Sequence, residues 1–123
     1  MSPLTVAATL AAGGIGAGLR YLIDALVMRG RKGGFPAGIL VVNISGSLLL
    51  GIVTALWAGT PAVTILGLGL LGGYTTFSTV SVESALFSER GRRRRALLNA
   101  VGTLVACVAA AGLGLFLGAS ATG

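Results

Sequence analysis

Apolar residues run along this chain in four long stretches, roughly residues 4–27, 35–57, 62–86 and 96–117, and most charged residues fall between them or at their ends. A helix that crosses a bilayer needs about 20 predominantly apolar residues, so each stretch is long enough to span. The pattern predicts an all-α integral membrane protein, a single four-helix membrane domain over residues 1–123 joined by short connections at 28–34, 58–61 and 87–95. Connections this short make sequence neighbours antiparallel. Pro36 and Pro61 sit near predicted helix starts, where a missing N–H is tolerated. The small residues from Ala11 to Gly18 look like a signal-cleavage region, but no Lys or Arg precedes them and a signal's first segment is positive, so the first stretch is expected to stay as a span.

Composition strengthens the membrane assignment and removes several chemistries. Only 10% of residues are charged, 54% are hydrophobic and 21 are glycine, whereas soluble domains carry about 25% charged residues. With no histidine and one cysteine, Cys107, a His/Cys metal site, a cysteine–histidine catalytic pair and an intrachain disulfide are excluded. No nucleophile–base pair remains for an enzyme.

Four antiparallel spans place the first and third connections on one side of the membrane and both termini with the second connection on the other. This partition sorts the basic residues completely. Arg29, Arg31 and Lys32 lie in the first connection, Arg90 and Arg92 to Arg95 in or beside the third, and Arg20 in the half of the first span nearest that side. The basic side is then cytoplasmic, with both termini outside a multi-pass protein of the cell (plasma) membrane. Trp57 falls at the outer interface, where tryptophan anchors spans. The net charge of +6 and the run Arg92 to Arg95 also fit phosphate contact, but beside a span such a run sets topology and meets anionic lipid head groups; membrane lipid, not nucleic acid, is the expected partner.

Two features bear on helix packing. Gly67-Leu-Gly69-Leu-Leu-Gly72 satisfies the spacing of a dinucleotide fingerprint, but it lies inside an apolar span and not between a strand and a helix. Close helix approach is the expected purpose, as for the GxxxG pairs Gly14 with Gly18 and Gly114 with Gly118. Arg20 and Asp24, four apart, have the spacing of an ion pair on one helix face, and Glu83 lies where an arginine could pair with it.

Polar groups concentrate in the middle of the third stretch: Gly72-Gly73-Tyr74-Thr75-Thr76-Phe77-Ser78-Thr79-Val80-Ser81-Val82-Glu83. An unpaired backbone group in hydrocarbon costs several kcal/mol, so an interruption there must be buried in protein or line a cavity. A helix broken near mid-membrane is expected. Its freed carbonyls suit a cation, and its freed N–H groups and hydroxyls suit an anion. Taken singly, each Ser or Thr reads equally as a hydroxyl bonded back to its own helix, and Asn43 as a bond between helices.

Gly13-Gly14-Ile15-Gly16-Ala17 with Arg20-Tyr21, Val42-Asn43-Ile44-Ser45-Gly46-Ser47 with Gly51, and Gly72-Gly73-Tyr74-Thr75-Thr76-Phe77-Ser78-Thr79 with Glu83 resemble, in order and spacing, the three signature blocks of the CrcB/Fluc family of fluoride channels. The resemblance implies an antiparallel dimer, in which an oppositely oriented homologous subunit completes two fluoride pores around a central structural sodium ion. It implies the backbone carbonyls of Gly72 and Thr75 as sodium ligands, Asn43 as a pore amide donor, Phe77 as a ring whose edge faces the anion, and Ser78 and Thr79 as part of a polar track. Thr76, Thr103, Cys107 and Arg20 complete the candidate pore set.

The chain departs from the family pattern at Val80, where a second pore phenylalanine is expected, and in the fourth span, where Thr103 and Cys107 stand in for an aromatic residue and a hydroxyl. At least one pore lined by these positions is therefore in question. A subunit that inserts both ways up needs balanced Lys/Arg, and this one is wholly one-sided, so it should insert in one orientation. The expected partner is thus a different chain with the opposite bias, giving one complete and one degenerate pore. Two alternatives are a non-conducting or partly degenerate partner subunit and a small multidrug or cation exporter; the exporter needs a carboxylate at the membrane centre, and Asp24, Glu83 and Glu89 all lie toward the basic side.

Overall fold

The computed structural model describes residues 1–31 and 35–122; Lys32, one of the basic residues assigned to the first connection, lies outside them. The described chain is all-helical. It comprises α1 (Pro3–Val27), α2 (Ala37–Trp57), a segment wound in the wide π form (Val63–Leu71), α3 (Gly72–Tyr74), α4 (Phe77–Glu89) and α5 (Arg93–Thr122). The π segment, α3 and α4 together make one interrupted span, Val63–Glu89, so four helices are long and apolar enough to cross a membrane.

The helix ends follow from local chemistry. Ser2 caps α1, its hydroxyl accepting the Thr5 N–H at 3.1 Å, with proline in the first turn where its missing donor costs nothing. Past Trp57, Gly59 takes φ +80°, a left-handed conformation glycine adopts without strain. At the end of α4, Arg92 N–H donates to Phe87 O at 2.8 Å and Gly91 N–H to Ser88 O at 3.1 Å, a Schellman closure around Gly91. The third connection is consequently shorter than the charge pattern predicts. Arg93 to Arg95 belong to the first turn of α5, because arginine is a good helix former and the turn is already closed before it.

Glycine contacts reveal how the spans are ordered. Gly69 lies against Thr9 and Ala12, and Gly73 against Gly13, so α1 and the interrupted span run in the same direction. Gly114 meets Leu48 and Ile52 while Gly118 meets Ile52 and Ala55, so α2 and α5 also run together. Asn43 meets Thr76 whereas Leu50 meets Gly67, so α2 runs antiparallel to the interrupted span. This is an up-down-up-down order. The break divides the third span's allegiance: its first half packs on α1 and α2, and α4 packs on α5.

The two predicted GxxxG pairs behave differently. Gly114 and Gly118 are buried on α2, as expected. Gly14 and Gly18 face outward with nothing within 4 Å of a side chain placed there. Their neighbours Gly13 and Gly16 carry the α1 contact instead, Gly16 against the Leu70 carbonyl and the Tyr74 N–H, because the helical period separates the two pairs and the rotation of α1 about its axis turns 13 and 16 inward.

A methyl group at Gly114 would fall on the Leu48 carbonyl and 3.0 Å from Ile52 N, whereas one at Gly112 meets nothing within 4 Å. Gly114→Ala is expected to destabilise the protein by about 1–3 kcal/mol through overpacking, and Gly112→Ala to be neutral or slightly stabilising. Thermal unfolding in detergent measures both, and equal melting temperatures for the two variants would contradict this packing.

Candidate functional site

The backbone is extended at Thr75 (φ −78°, ψ 159°) and Thr76 (φ −148°, ψ 123°), midway along the third span. Asn43 holds it open. Its Nδ2 donates to Thr76 O at 3.0 Å and its Oδ1 accepts Thr76 N–H at 2.8 Å, so one carboxamide satisfies both polar groups of the residue at the break. Asn43 itself is 5% exposed, where unmatched groups would cost about 1–3 kcal/mol each. Gly46, one turn along α2, leaves room: a side chain there would strike the Thr75 methyl group and the Tyr74 ring. Tyr74 is tied back to α2 by its hydroxyl, 3.0 Å from Ser45 Oγ.

The same bonds decide which backbone groups are released. In an unbroken α-helix, Thr76 N–H would bond to the Gly72 carbonyl and Thr79 N–H to the Thr75 carbonyl. Here the first goes to Asn43 Oδ1, and the second to Thr76 Oγ1 at 3.2 Å, which caps α4. The carbonyls of Gly72 and Thr75 thereby lose these helical donors, and that of Thr75 faces Arg20 instead. On the other side of the break, Phe77 and Ser78 N–H are first-turn donors of α4 with no intrahelical acceptor. The Thr76 hydroxyl lies 3.2 Å from Ser78 Oγ and donates to Thr79 Oγ1 at 3.1 Å, joining three side chains into one polar string.

Between α2, the interrupted span and α5 lies an open crevice of about 550 Å³. It brings together Asn43, Gly72, Thr75, Thr76, Phe77, Thr103 and Cys107. Ser78 and Thr79 join it through Thr76 and do not line it. Phe77 is 85% exposed, its ring standing outside the subunit's own core. Thr103 is 8% exposed and its Oγ1 is buried without a hydrogen-bond partner. Val80, at the position where a second aromatic ring was expected, is buried in the crevice wall.

The intramembrane charges fall otherwise than their spacing predicts. Arg20 turns to the break, with Nη1 3.4 Å from Thr75 O. Asp24 lies over Gly38 in the first turn of α2, where the positive end of that helix favours a carboxylate. The expected arginine partner of Glu83 is absent among the described residues: Glu83 Oε1 is buried with no hydrogen-bond partner.

One site residue escaped the sequence reading. Asn99 is 2% exposed and donates through Nδ2 to Ser84 Oγ at 3.0 Å and toward Val80 O at 3.4 Å, fastening α4 to α5. A signal for it exists: Asn99, Thr103 and Cys107 recur every four residues, one polar edge on an otherwise apolar helix.

Irregular backbone that is satisfied by a neighbouring helix and borders a crevice defines a multi-pass membrane protein of the broken-helix kind. The family model described as CrcB-like protein, Camphor Resistance (CrcB), matches residues 7–115, and the chain belongs to that family. It is 43% identical over 122 residues to the fluoride-specific ion channel FluC 1 of Leifsonia xyli subsp. xyli, an alignment covering 96% of this chain and 89% of that one. Similarity to FluC 1 of Rubrobacter xylanophilus is 43% identity across 100% of both chains, and to FluC of Shewanella halifaxensis 45% over 78% of this chain and 81% of that one. All three are named as ion channels, not enzymes.

Asn43→Ala removes both partners of Thr76 and is expected to lower stability on the order of 3 kcal/mol. Asn99→Leu, which replaces an amide by a similar apolar volume, should cost about 1 kcal/mol, since the Ser84 hydroxyl can turn back to its own helix. Thermal unfolding of the two variants tests the ranking, and a larger loss in Asn99→Leu would reverse it.

Proposed function

We propose that this chain is a subunit of a passive, fluoride-selective channel that lets cytoplasmic fluoride leave the cell. The observation that carries the reading is the Asn43–Thr76 clasp, which opens the third span beside the crevice and frees donors where a bare anion would need them. Fluoride holds its water tightly, so a path across the membrane must replace that water with hydrogen-bond donors. The Phe77 and Ser78 N–H groups, the Ser78 and Thr79 hydroxyls, and the N–H of Asn43 not given to Thr76 are such donors. The edge of the Phe77 ring carries the positive part of the aromatic quadrupole and adds a weak one. The names of the relatives support fluoride as the ion. Fluoride enters as neutral HF and ionises inside, so a passive path lets it leave down its gradient.

The crevice and the outward Phe77 supply one wall of a pore, and a homologous subunit in the opposite orientation supplies the other. The one-sided distribution of Lys and Arg supports a single insertion with both termini outside the cell membrane, and hence a partner that is a different chain. The carbonyls of Gly72 and Thr75 are uncharged oxygen donors that suit a hard cation such as sodium, provided that Arg20 Nη1, 3.4 Å from Thr75 O, gives way to it. One subunit provides only these two, so the ion belongs at the subunit contact, where its charge would neutralise carbonyl dipoles that otherwise face one another.

A second reading, that this chain is a partly degenerate member of the pair, draws support from the crevice wall. Val80, the unpartnered Thr103 hydroxyl and Cys107 line it without a second aromatic edge.

Fluoride efflux from liposomes, followed with a fluoride electrode, tests both readings. Efflux is expected when this chain is reconstituted with its oppositely biased partner and not when it is alone. Phe77→Ala should abolish that efflux with little change in melting temperature, because the ring is 85% exposed. Efflux by the chain alone would replace the heterodimer with a homodimer, and no efflux from a correctly assembled pair would overturn the channel reading.

A further inference from the structure

The turn between α4 and α5 carries the densest charge in the protein. Arg90 and Arg92 to Arg95 are all exposed, and the one carboxylate in the stretch 89–96 is Glu89. The turn is not a loose tail: its Schellman closure ties Arg92 N–H to Phe87 O at 2.8 Å, and Phe87 is buried beneath it. Successive helical residues are rotated by about 100°, so the side chains of Arg93 to Arg95 fan over about 200° of the circumference of α5 and do not all turn toward Glu89. The first turn of α5 contains no acidic residue, and the helix dipole there has the same sign as the arginines. Five guanidinium groups are thus held close together with one carboxylate to offset them.

Depth identifies the counter-charge. The apolar run 96–117 begins directly after Arg95 and, at 1.5 Å per residue, is about 33 Å long, close to the hydrocarbon thickness of a bilayer. With that run in the bilayer, the guanidinium groups stand at the level of the lipid phosphates, which accept paired N–H bonds from arginine. Arg29 and Arg31 lie at the same end of the bundle, but they are fewer and flank Gly30 on a separate turn.

We propose that Arg90 and Arg92 to Arg95 form a binding surface for anionic phospholipid head groups, whose phosphodiesters supply the negative charge that the chain lacks there. The surface is independent of the ion path, and its test reads lipid uptake and not fluoride flux. Native mass spectrometry of the purified full-length chain, offered equal phosphatidylglycerol and phosphatidylcholine in detergent, should show phosphatidylglycerol adducts enriched. Each arginine changed to glutamine should lower the enrichment roughly fivefold. Combined Arg92→Gln, Arg93→Gln, Arg94→Gln and Arg95→Gln should abolish it, the same four positions changed to lysine should largely keep it, and Arg29→Gln with Arg31→Gln should leave it unchanged. Should the fourfold glutamine variant fail to fold by circular dichroism, single Arg93→Gln and Arg95→Gln variants carry the test through the fivefold step. Equal uptake of the two lipids by the unaltered chain, enrichment that survives in the folded glutamine variants, or loss of enrichment in millimolar inorganic phosphate, which would mark a site for free anions, would each overturn the proposal.

Discussion

Hydrocarbon offers no water to a free peptide group, so any span that departs from the helix must find partners inside the protein. In this chain that constraint is met by one side chain. Asn43 presents an acceptor and a donor side by side and closes both onto the backbone of Thr76. A carboxamide is the smallest neutral side chain with this paired geometry: a carboxylate would lack the donor, and a hydroxyl the reach. Because Thr76 N–H is satisfied from α2, its usual acceptor in the preceding turn, the Gly72 carbonyl, loses its helical donor. The Thr76 hydroxyl repeats the move one turn later by capping Thr79. The break is a bonded structure, not a defect.

Everything around the break is arranged to let helices approach closely enough for such short side chains to work. Gly46 admits Tyr74 and Thr75, Gly73 admits the backbone of Gly13, and Gly16 takes the Leu70 carbonyl. Without a hydrophobic force between helices inside lipid, van der Waals contact and interhelical hydrogen bonds must hold the bundle, and both need small residues at the crossings. The π winding of Val63–Leu71 leads directly into the break; wide turns of this kind are frequent at functional sites. Past the break, α4 belongs to α5, and Asn99 performs there a smaller version of the Asn43 task.

The distribution of charge sets a second, separate constraint. The apolar bundle gives the chain no internal preference for either orientation, while the basic turns at one end give it a strong one. Charge bears on how the subunit is expected to sit in the bilayer, and backbone satisfaction on what happens in its centre. The two meet at Arg20, which lies on the basic half of α1 yet reaches to 3.4 Å from the Thr75 carbonyl at the break.

The amino-acid sequence alone determined the membrane class, the four spans and the position of the interruption, because hydrocarbon imposes a length and a polarity rule that any single stretch obeys or breaks by itself. Its basic residues predict a topology by an equally local rule. Tertiary structure decided which residues serve each other. The periodicity of α1 does not say that Gly13 and Gly16, and not Gly14 and Gly18, face the neighbouring span; that depends on the rotation of the helix about its axis. The Arg20–Asp24 spacing satisfied the rule for a helical ion pair, but the freed carbonyl of Thr75 and the first turn of α2 lie in other elements and drew the two side chains apart. Asn43 stood out as a polar residue in an apolar run, whereas Asn99 passed unremarked beside the arginine run. Only the packed bundle turned the first into the clasp on Thr76 and the second into the fastening of α4, since a hydrogen bond between helices is specified by distance in space and not by distance along the chain.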